Sequence, residues 1–401
     1  MTRTVFRGGL VFDGTGSDPS PADVTVEDGR IVDVGTGLDG DEAVDLAGRT
    51  LLPGLFDCHV HVVFSHVDAW RAANTPFSYS FYEAARNLRS TLRIGVTSIR
   101  DAGGADLGIK QALIDGLIPG PRMQVSLTML SQTGGHGDDW LVSGIRVPLL
   151  PEHPGVPSGI VDGPDEMRRK VRQLHAMGAD VIKVATSGGV LSPRDNPQHA
   201  HFRPAELEAL VEEATAAGMF VMAHAQAADG IRNAVRAGIR SIEHGIFLDD
   251  EGIDLMLERG TWLVPTLVAP QGVIDAATSG TTFSPGVLEK ARAVVDIHRA
   301  AVKRAIEAGV RIAMGTDSGV TPHGRNLREL ALMAELGLAP GRVLEAATRS
   351  AAQLLGVDRD LGTIEPGKLA DLVAVDGNPY AFDSLAERIE GVWLAGRRAG
   401  V

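Results

Sequence analysis

Histidine pairs of the form H-x-H are the residues of this sequence best suited to hold a metal ion. With 12 histidines in the chain, such a pair is expected by chance about 0.4 times, and it occurs twice. His199 and His201 lie among proline, asparagine and aspartate, where no regular element sets their direction. His59 and His61 close the apolar run LLPGLFDCHVH, and strand geometry points both imidazoles to one face. The sequence therefore favours the second pair.

Other apolar runs contain or end in residues of the same chemistry. Lys183 lies inside VIKVA, His224 closes MFVMAH, His244 closes SIEH and Asp317 closes AMGTD. Taken alone, a histidine at a strand end is more often a hydrogen-bonded core residue, and a buried lysine needs a carboxylate partner. Together with the first pair, these groups would meet at the carboxyl ends of neighbouring strands. Imidazole and carboxylate suit Zn²⁺ or a similar divalent ion.

The elements that must position these residues are eight short apolar runs after about residue 51, separated by stretches of helical period. They read LLPGLFDCHVH, VTSIRD, RMQVSLT, VIKVAT, MFVMAH, RSIEHG, TWLVPTL and VRIAMGTD. Eight such units predict an α/β fold, a (β/α)8 TIM-like barrel over residues 54–361, with its active site at the carboxyl ends of the strands.

Both ends of the chain show the alternating pattern of antiparallel hairpins, with Gly and Asp at the turns. Termini of a closed barrel lie close together, so residues 1–53 and 362–401 are predicted to pair into one small β-sandwich domain. Two separate β appendages are the alternative. The stretch 131–164 is rich in Gly and Pro and is expected to be a long functional loop.

Composition narrows the class of partner. Lys plus Arg is 38 and Asp plus Glu is 51, and the resulting net charge of −13 disfavours nucleic acid and anionic membranes as partners. Cys58 is the only cysteine, which excludes an internal disulfide and a cysteine-rich zinc module. It is expected to pack under the outer helices. No signal peptide and no apolar run of membrane length occur, so a cytoplasmic protein acting on a small molecule is expected.

Motifs along nearly the whole chain resemble those of the amidohydrolase superfamily, in its imidazolonepropionase-like and prolidase-like branch. The matching segments are GRTLLPGLFDCHVH, VTSIRDAGG, SQTGGHGD, IKVATSGGVLSP, VMAHA, SIEHG, GTDS and LGTIEPGKLADLVAVDGNP. The resemblance implies a barrel with two divalent ions, usually zinc, bridged by a lysine carbamate and a hydroxide. It also implies a small β domain built from both termini, and a homo-oligomer, which is common among relatives.

The resemblance assigns roles motif by motif. The implied metal ligands are His59, His61, Lys183, His224, His244 and Asp317. His59, His61 and Asp317 would hold the more buried ion and His224 and His244 the more exposed one, with the carbamate on the lysine binding both. Carboxylation would also replace an unwelcome buried cation by an anion that the two ions neutralise.

Further assignments concern catalysis and substrate binding. Asp317 is implied to be the proton shuttle. His136, in TGGHG, is implied to reach the substrate carbonyl, with a solvated loop histidine as the alternative. Gln226 stands where prolidase-like relatives often have an aromatic residue or a histidine that touches the substrate, so it is expected to bind a polar, uncharged group. Arg194 and Arg203 are candidates for a substrate carboxylate.

The predicted activity is hydrolysis of a C–N bond in a small amide-like substrate, such as a dipeptide, an N-acyl amino acid or an aryl amide. Hydrolysis of a lactone, a cyclic imide or imidazolone, or a urea or carbamate xenobiotic in the same site is the alternative. A non-catalytic barrel scaffold predicts lost ligands, whereas all six positions are filled. A metal-storage protein needs no general base, so the candidate catalytic residues Asp317 and His136 argue against that alternative. The remaining histidines are expected to be structural or on the surface, with His323 as a pocket wall: His66, His153, His175, His298 and the 199/201 pair.

Overall fold

The computed structural model describes residues 2–141, 143–148, 150–192, 194–283 and 286–400. Its strands are β1 (Thr4–Val11), β2 (Ser20–Glu27), β3 (Arg30–Gly35), β4 (Glu42–Asp45), β5 (Arg49–Pro53), β6 (Leu55–Val60), β7 (Val96–Asp101), β8 (Arg122–Val125), β9 (Met129–Leu130), β10 (Val181–Ala185), β11 (Phe220–Ala225), β12 (Ser241–His244), β13 (Trp262–Val264), β14 (Arg311–Ile312), β15 (Leu372–Asp376), β16 (Ile389–Leu394) and β17 (Arg397–Arg398). Its helices are α1 (Ala69–Ala73), α2 (Tyr79–Arg93), α3 (Leu107–Ile114), α4 (Pro164–Ala176), α5 (Pro204–Ala216), α6 (Ala228–Ala237), α7 (Asp250–Arg259), α8 (Val268–Thr278), α9 (Val287–Ala308), α10 (Arg328–Glu335), α11 (Pro340–Ala346) and α12 (Arg349–Leu355), with a 3₁₀ helix at Phe382–Arg388.

Strands from both ends of the chain form one eight-stranded sheet. Its order is β17-β16-β15-β5-β1-β2-β3, and β4 pairs with β1. The pairs β1/β2 and β2/β3 are antiparallel, as the hairpin pattern predicts, but β4 and β5 run parallel to β1. Strand β15 joins β5 in an antiparallel ladder, and the ring centroids of Phe6 and Trp393 lie 5.1 Å apart, edge to face. The two ends of the chain therefore share one sheet and one apolar core.

The remaining strands form two parallel sheets, β6-β7-β8 and β14-β13-β12-β11-β10-β9. All eight predicted apolar runs contain strand. The first run, however, was expected to be one strand and is two. It divides at Gly54, where an added Cβ would lie 2.0 Å from Thr97 Oγ1. The Thr97 side chain thus packs against the glycine at the point that separates β5, in the terminal sheet, from β6, in a parallel sheet.

The helices cover these sheets with amphipathic faces. In α4, Pro164 begins the helix and Met167, Val171 and Leu174 are fully buried at helical spacing. Burial of each such side chain contributes roughly 1.5–3 kcal/mol. Cys58 packs in a buried cluster that includes residues of α12, so its expected packing role under an outer helix is confirmed.

The segment between β9 and α4 is irregular, as predicted. Its described residues form only isolated bridges, and its two ends are joined where Ser131 donates to Gly159 O at 2.9 Å and accepts from Val161 N at 3.0 Å. Within the described ranges, no helix combines the length and the apolarity needed to cross a membrane.

Candidate active site

Five imidazole rings form a continuous row where the parallel strands end. The distances between successive ring centroids are 5.6 Å from His61 to His59, 5.1 Å from His59 to His244, 4.7 Å from His244 to His224 and 4.1 Å from His224 to His136. The last two rings are stacked, with 18° between their planes. The fold therefore brings together all five histidines that the sequence singles out.

Asp317 and Lys183 complete this cluster. Asp317 Oδ1 lies 3.3 Å from His61 Nε2 and 3.4 Å from His59 Nε2. Lys183, in the middle of β10, places Nζ 3.3 Å from His59 Nε2. The candidate ligand atoms of His59, His244 and Asp317 all lie within 4.8 Å of one another. All six proposed ligand positions thus converge on one spot.

Two of these residues, the last residue of β12 and a residue shortly after β14, have left-handed backbone conformations. His244 and Asp317 have φ angles of 73° and 59°, in the left-handed region that residues other than glycine rarely adopt. Thr266, after β13, has a φ of 50°, and its Oγ1 lies 2.7 Å from His244 Nδ1. Such conformations cost about 1–3 kcal/mol each and persist only where the surroundings hold them. Strain at three neighbouring strand ends marks this edge of the sheet as a functional site.

The candidate ligands use one ring nitrogen for a protein contact and turn the other toward the cluster. His59 Nδ1 lies 2.8 Å from Glu243 Oε2, and His61 Nδ1 lies 2.8 Å from Gly103 O. The contact of His244 with its threonine has the same form. Proteins orient metal-binding imidazoles in this way, because the second hydrogen bond sets the tautomer and the ring direction. The donor set therefore fits a divalent ion.

A buried ion pair lies beneath His59. Arg100, in β7, donates from Nη2 to Glu243 Oε1 at 2.8 Å and from Nε to Cys58 O at 2.7 Å. The glutamate thus connects a guanidinium to a candidate metal ligand. Sequence reasoning missed both residues of this pair. Arg100, a cation inside the buried run VTSIRD, carries the same signal that drew attention to Lys183.

Burial determines the charge states in the cluster. It lowers the pKa of His59, His224 and His244 well below the ordinary histidine value, so these imidazoles are neutral and keep a lone pair for a ligand. Burial also lowers the pKa of Lys183 to about 8. For Asp317, burial raises the pKa, but the neighbouring imidazoles outweigh it and hold the pKa well below its usual range. For His61, burial lowers the pKa, but the hydrogen bond with Asp317 outweighs it and raises the pKa. The cluster therefore combines three neutral imidazoles and a more basic one with an ionised carboxylate.

His136 approaches from the long loop and is tied to a second loop. Its Nδ1 lies 2.7 Å from Ser192 Oγ and 3.3 Å from Asp195 Oδ2. Burial raises the pKa of Asp195, but the hydrogen bond with His136 outweighs it, and the pKa falls to about 2. The His136 side chain is 13% exposed, so it packs against the cluster and is not free in solvent. No pattern in the sequence around Asp195 indicated this contact.

The cluster forms the floor of a cavity of about 190 Å³. Gln226 lines the cavity with 5% exposure, and its Oε1 has no hydrogen-bond partner within the described ranges. Arg146 is on the wall, in an ion pair with Asp138 at 2.8 Å. Much of the wall is apolar and includes Phe64, Val67, Leu150, Val190, Ile246 and Val273.

Other predicted residues lie away from the cavity. Arg194 and Arg203 are exposed, and neither is among the described residues that line it. His199 and His201 are likewise not among the described lining residues, although His201 is buried. Among the described residues, Arg146 from the long loop lines the cavity in place of the two predicted arginines.

Two further histidines support the cluster through its backbone. His323 Nε2 lies 3.1 Å from His61 O, and His323 is not among the described lining residues, contrary to its expected place in the wall. His298, in α9, is buried, lines the cavity, and lies with Nε2 2.9 Å from His244 O. Each of these residues thus steadies the backbone of a candidate ligand.

A parallel α/β fold that gathers imidazole, lysine and carboxylate groups where its strands end defines a class of metal-dependent hydrolases. The amidohydrolase family model matches residues 50–400. Ochratoxinase of Aspergillus niger is 35% identical over 418 aligned residues, which cover 98% of this chain and 86% of that protein. Imidazolonepropionase of Rhizorhabdus wittichii is 31% identical over 405 residues, covering 92% of this chain and 89% of that protein. A solved Xaa-Pro dipeptidase with methionine bound in its active site is 34% identical, with a TM-score of 0.90 and 99% of both chains covered.

The chain therefore belongs to the amidohydrolase family. As a member of it, the protein is a hydrolase that acts on C–N bonds, and the predicted enzyme class is confirmed. The family is metal-dependent, and the His/Asp cluster is compatible with a metal site.

Proposed function

We propose that this protein is a binuclear metal hydrolase that cleaves the C–N bond of a small amide-like substrate, such as an N-acyl amino acid, a dipeptide or an aryl amide. The observation that carries the proposal is the convergence of five imidazoles, Asp317 and a buried lysine on the floor of one cavity. The name of the Xaa-Pro dipeptidase supports an amide as the substrate class.

In this proposal two divalent ions, zinc for preference, are held by the six ligands that the sequence indicates. When bound, the ions supply Lewis acidity and lower the pKa of water toward neutrality. Lys183 has no ion pair within the described ranges. With a pKa of about 8, on the order of a tenth of its amine is neutral at pH 7. That neutral fraction supports attack of the Lys183 amine on carbon dioxide, which forms a carbamate with loss of a proton and turns the buried cation into an anionic ligand.

Residues of the chain then carry out proton transfer and substrate binding. Asp317 accepts a proton from the attacking water and delivers it to the leaving nitrogen, so that a carboxylic acid and an amine are released. His136 contacts the substrate carbonyl oxygen through Nε2. Gln226 binds a polar, uncharged group of the substrate through its unpartnered amide oxygen, and the apolar wall binds an apolar substituent.

The proposal also covers the domain architecture, the cellular location, the oligomeric state and the binding partners. The two parallel sheets close into one (β/α)8 barrel over residues 54–361, supported by the bond from Cys58 N to Met314 O at 2.9 Å, which links β6 to the chain after β14. Residues 1–53 and 362–401 form the small β-sandwich domain. The protein is a cytoplasmic homo-oligomer with a small-molecule substrate, and it binds neither nucleic acid nor membrane.

Metal content tests the binuclear site. Protein purified without chelators should hold about two divalent ions per chain, and Lys183→Ala should not hold both. Zinc reconstitution of the apoprotein should be faster with bicarbonate, and carbon-13 spectra should show a carbamate. Asp317→Asn should keep much of its metal yet lose turnover by a factor on the order of 10² to 10⁴. Metal-free protein with full activity, or a free amine on Lys183 beside two bound ions, would contradict the proposal.

A substrate panel tests the bond that is cleaved. Zinc-loaded enzyme is assayed with N-acyl amino acids, dipeptides, aryl amides, ureas, lactones and cyclic imides, and we expect cleavage of linear amides. Hydrolysis of lactones or cyclic imides with kcat/KM above ~10⁴ M⁻¹s⁻¹, with no activity on linear amides, would favour the alternative substrate class instead.

A further inference from the structure

The contacts of His136 determine which of its nitrogens faces the cavity. Ser192 donates its hydroxyl hydrogen to Asp195 Oδ1 in a short hydrogen bond. With that hydrogen committed, Ser192 Oγ can only accept from His136 Nδ1, at 2.7 Å. Asp195 Oδ2, at 3.3 Å from the same nitrogen, is also an acceptor. Nδ1 therefore carries a hydrogen, and Nε2 is the nitrogen left for the substrate, to whose carbonyl oxygen it donates when the ring also carries a hydrogen there, as a cation paired with Asp195.

The carboxylate of Asp195 is itself held firmly. Its side chain is 3% exposed, and Oδ2 accepts from Gly189 N at 2.9 Å. Lys290, in α9, donates from Nζ to Ser192 O and Asp195 O, both at 2.8 Å, and to Gly189 O at 3.2 Å. One lysine thus draws three carbonyls of the turn together and neutralises the carboxylate, whose Oδ1 lies 3.4 Å away. The turn is fixed to a barrel helix instead of depending on the loop alone.

The imidazole is also confined by packing. Its ring is stacked on His224 at 4.1 Å. A Cβ added to Gly189 would lie only 2.2 Å from His136 Cε1, so the turn approaches the ring as closely as a glycine backbone permits. The ring can therefore neither rotate nor shift without breaking the contacts with Ser192 and Asp195.

We infer that Asp195 is a positioning residue of the enzyme, which acts through Ser192 and His136 to keep Nε2 directed at the substrate carbonyl. The inference rests on the role proposed above for His136. A buried carboxylate that orients a working imidazole sets its tautomer, and loss of that orientation lowers kcat while binding of substrate is preserved. Asp195 itself does not touch the substrate.

A double-mutant cycle tests whether Asp195 acts through His136. The variants are Asp195→Asn, His136→Ala and the combination, assayed as zinc-loaded enzyme with the panel amide of highest kcat/KM. We expect Asp195→Asn to lower kcat by a factor on the order of 10 to 10², with KM changed less than about threefold and zinc content unchanged. The double variant should be no slower than His136→Ala, because the carboxylate has no other route to the reaction.

Asp162→Asn is the matched control. Asp162 accepts from Thr133 N at 3.0 Å and from Thr133 Oγ1 at 2.5 Å, so it orders the loop that bears His136 without touching the imidazole. Its kcat should stay within about twofold of wild type. An equal loss of kcat in both asparagine variants, or additive losses in the double variant, would overturn the inference in favour of a general role in loop order.

A spectroscopic measurement needs no substrate. In long-range ¹H–¹⁵N spectra of zinc-loaded enzyme labelled at histidine, the His136 signals, assigned with His136→Ala, should show a hydrogen on Nδ1 in wild type and an Nδ1 that is only partly protonated in Asp195→Asn. A wild-type Nδ1 without a hydrogen overturns the inference, even where a variant fails to fold. Unchanged kinetics in His136→Ala would overturn the proposed role of His136 and this inference together. A loss in His136→Ala without one in Asp195→Asn overturns the inference alone.

Discussion

Two series of side chains, each with a cation, a carboxylate and an imidazole in that order, reach the row of histidine rings at different places: one at His59, next to the His61 end, and the other at His136, the opposite end. The strand triad is Arg100, Glu243 and His59, and the loop triad is Lys290, Asp195 and His136. The side chains of the strand triad are at most 2% exposed, whereas those of the loop triad are 3 to 20% exposed. The strand triad lies on β7, β12 and β6, while only the lysine of the loop triad is on a regular element.

This difference predicts that the strand triad contributes to stability and the loop triad to turnover. Ladders of backbone hydrogen bonds fix the geometry of the strand triad, and its guanidinium and carboxylate pair with each other in the buried interior. The loop triad is held by its own side-chain contacts with the turn. Its lysine donates to backbone carbonyls of the turn, and its carboxylate accepts from the backbone N–H of Gly189. Damage to the first should therefore affect folding and metal binding, and damage to the second should affect kcat alone.

The largest expected effect is on the strand triad. Arg100→Met leaves the Glu243 carboxylate buried without its guanidinium, which should lower the free energy of unfolding by about 3–5 kcal/mol. Urea unfolding of the metal-free protein measures this loss, with Arg172→Met as the control, because Arg172 forms an exposed ion pair. A loss below about 1 kcal/mol would show that the strand triad is no more structural than a surface pair.

A matched change in each carboxylate sharpens the comparison. Glu243→Gln should weaken zinc binding by a factor of about 10 to 100, because the amide offers an acceptor at only one of the two positions that contact His59 and Arg100. Asp195→Asn, the same chemical change in the loop triad, should leave zinc affinity unchanged. Competition with a chromophoric chelator measures both. Equal weakening in the two variants would mean that the loop triad also supports the metal.

Two glycines next to the triads allow a steric version of the same test. A Cβ on Gly315 would lie 2.3 Å from Val264 Cγ1 and 3.1 Å from His59 Cβ, so Gly315→Ala should destabilise the fold by roughly 1–3 kcal/mol. Gly189→Ala should displace the His136 ring and lower kcat about tenfold. Thermal unfolding and kinetics of both variants provide the check, and a lower Tm in Gly189→Ala than in Gly315→Ala would reverse the predicted order.

The smallest expected effect concerns the lysine of the loop triad. Lys290→Met removes donors to three carbonyls at a partly exposed position, so the free energy of unfolding should change by no more than about 1 kcal/mol. Hydrogen exchange of the Gly189 amide should nevertheless become faster, because the turn opens locally. Unchanged exchange at this amide would show that the lysine does not hold the turn.

The strand-borne part of the site could be predicted because its signals are local. Alternation along LLPGLFDCHVH places His59 and His61 on one face, and Lys183 and His244 lie within or at the end of short apolar runs. The barrel predicted from the sequence gathers the carboxyl ends of all its parallel strands at one end, so residues far apart in sequence are expected to meet without any knowledge of the loops. Arg100 carries a signal of the same kind, but its pairing with Glu243 joins β7 to β12, which belong to different sheets.

The loop-borne part was decided by tertiary structure. Arg194 and Asp195 are neighbours in sequence, yet the arginine is exposed and the aspartate is buried against His136. An irregular segment has no period from which the direction of a side chain can be read, and its path is set by distant contacts such as those of Lys290. The sequence by itself thus determined the strand-borne residues at the floor of the cavity, whose direction follows from strand alternation. Only the tertiary structure decided which loop residues hold His136, because contacts between distant segments fix their conformation.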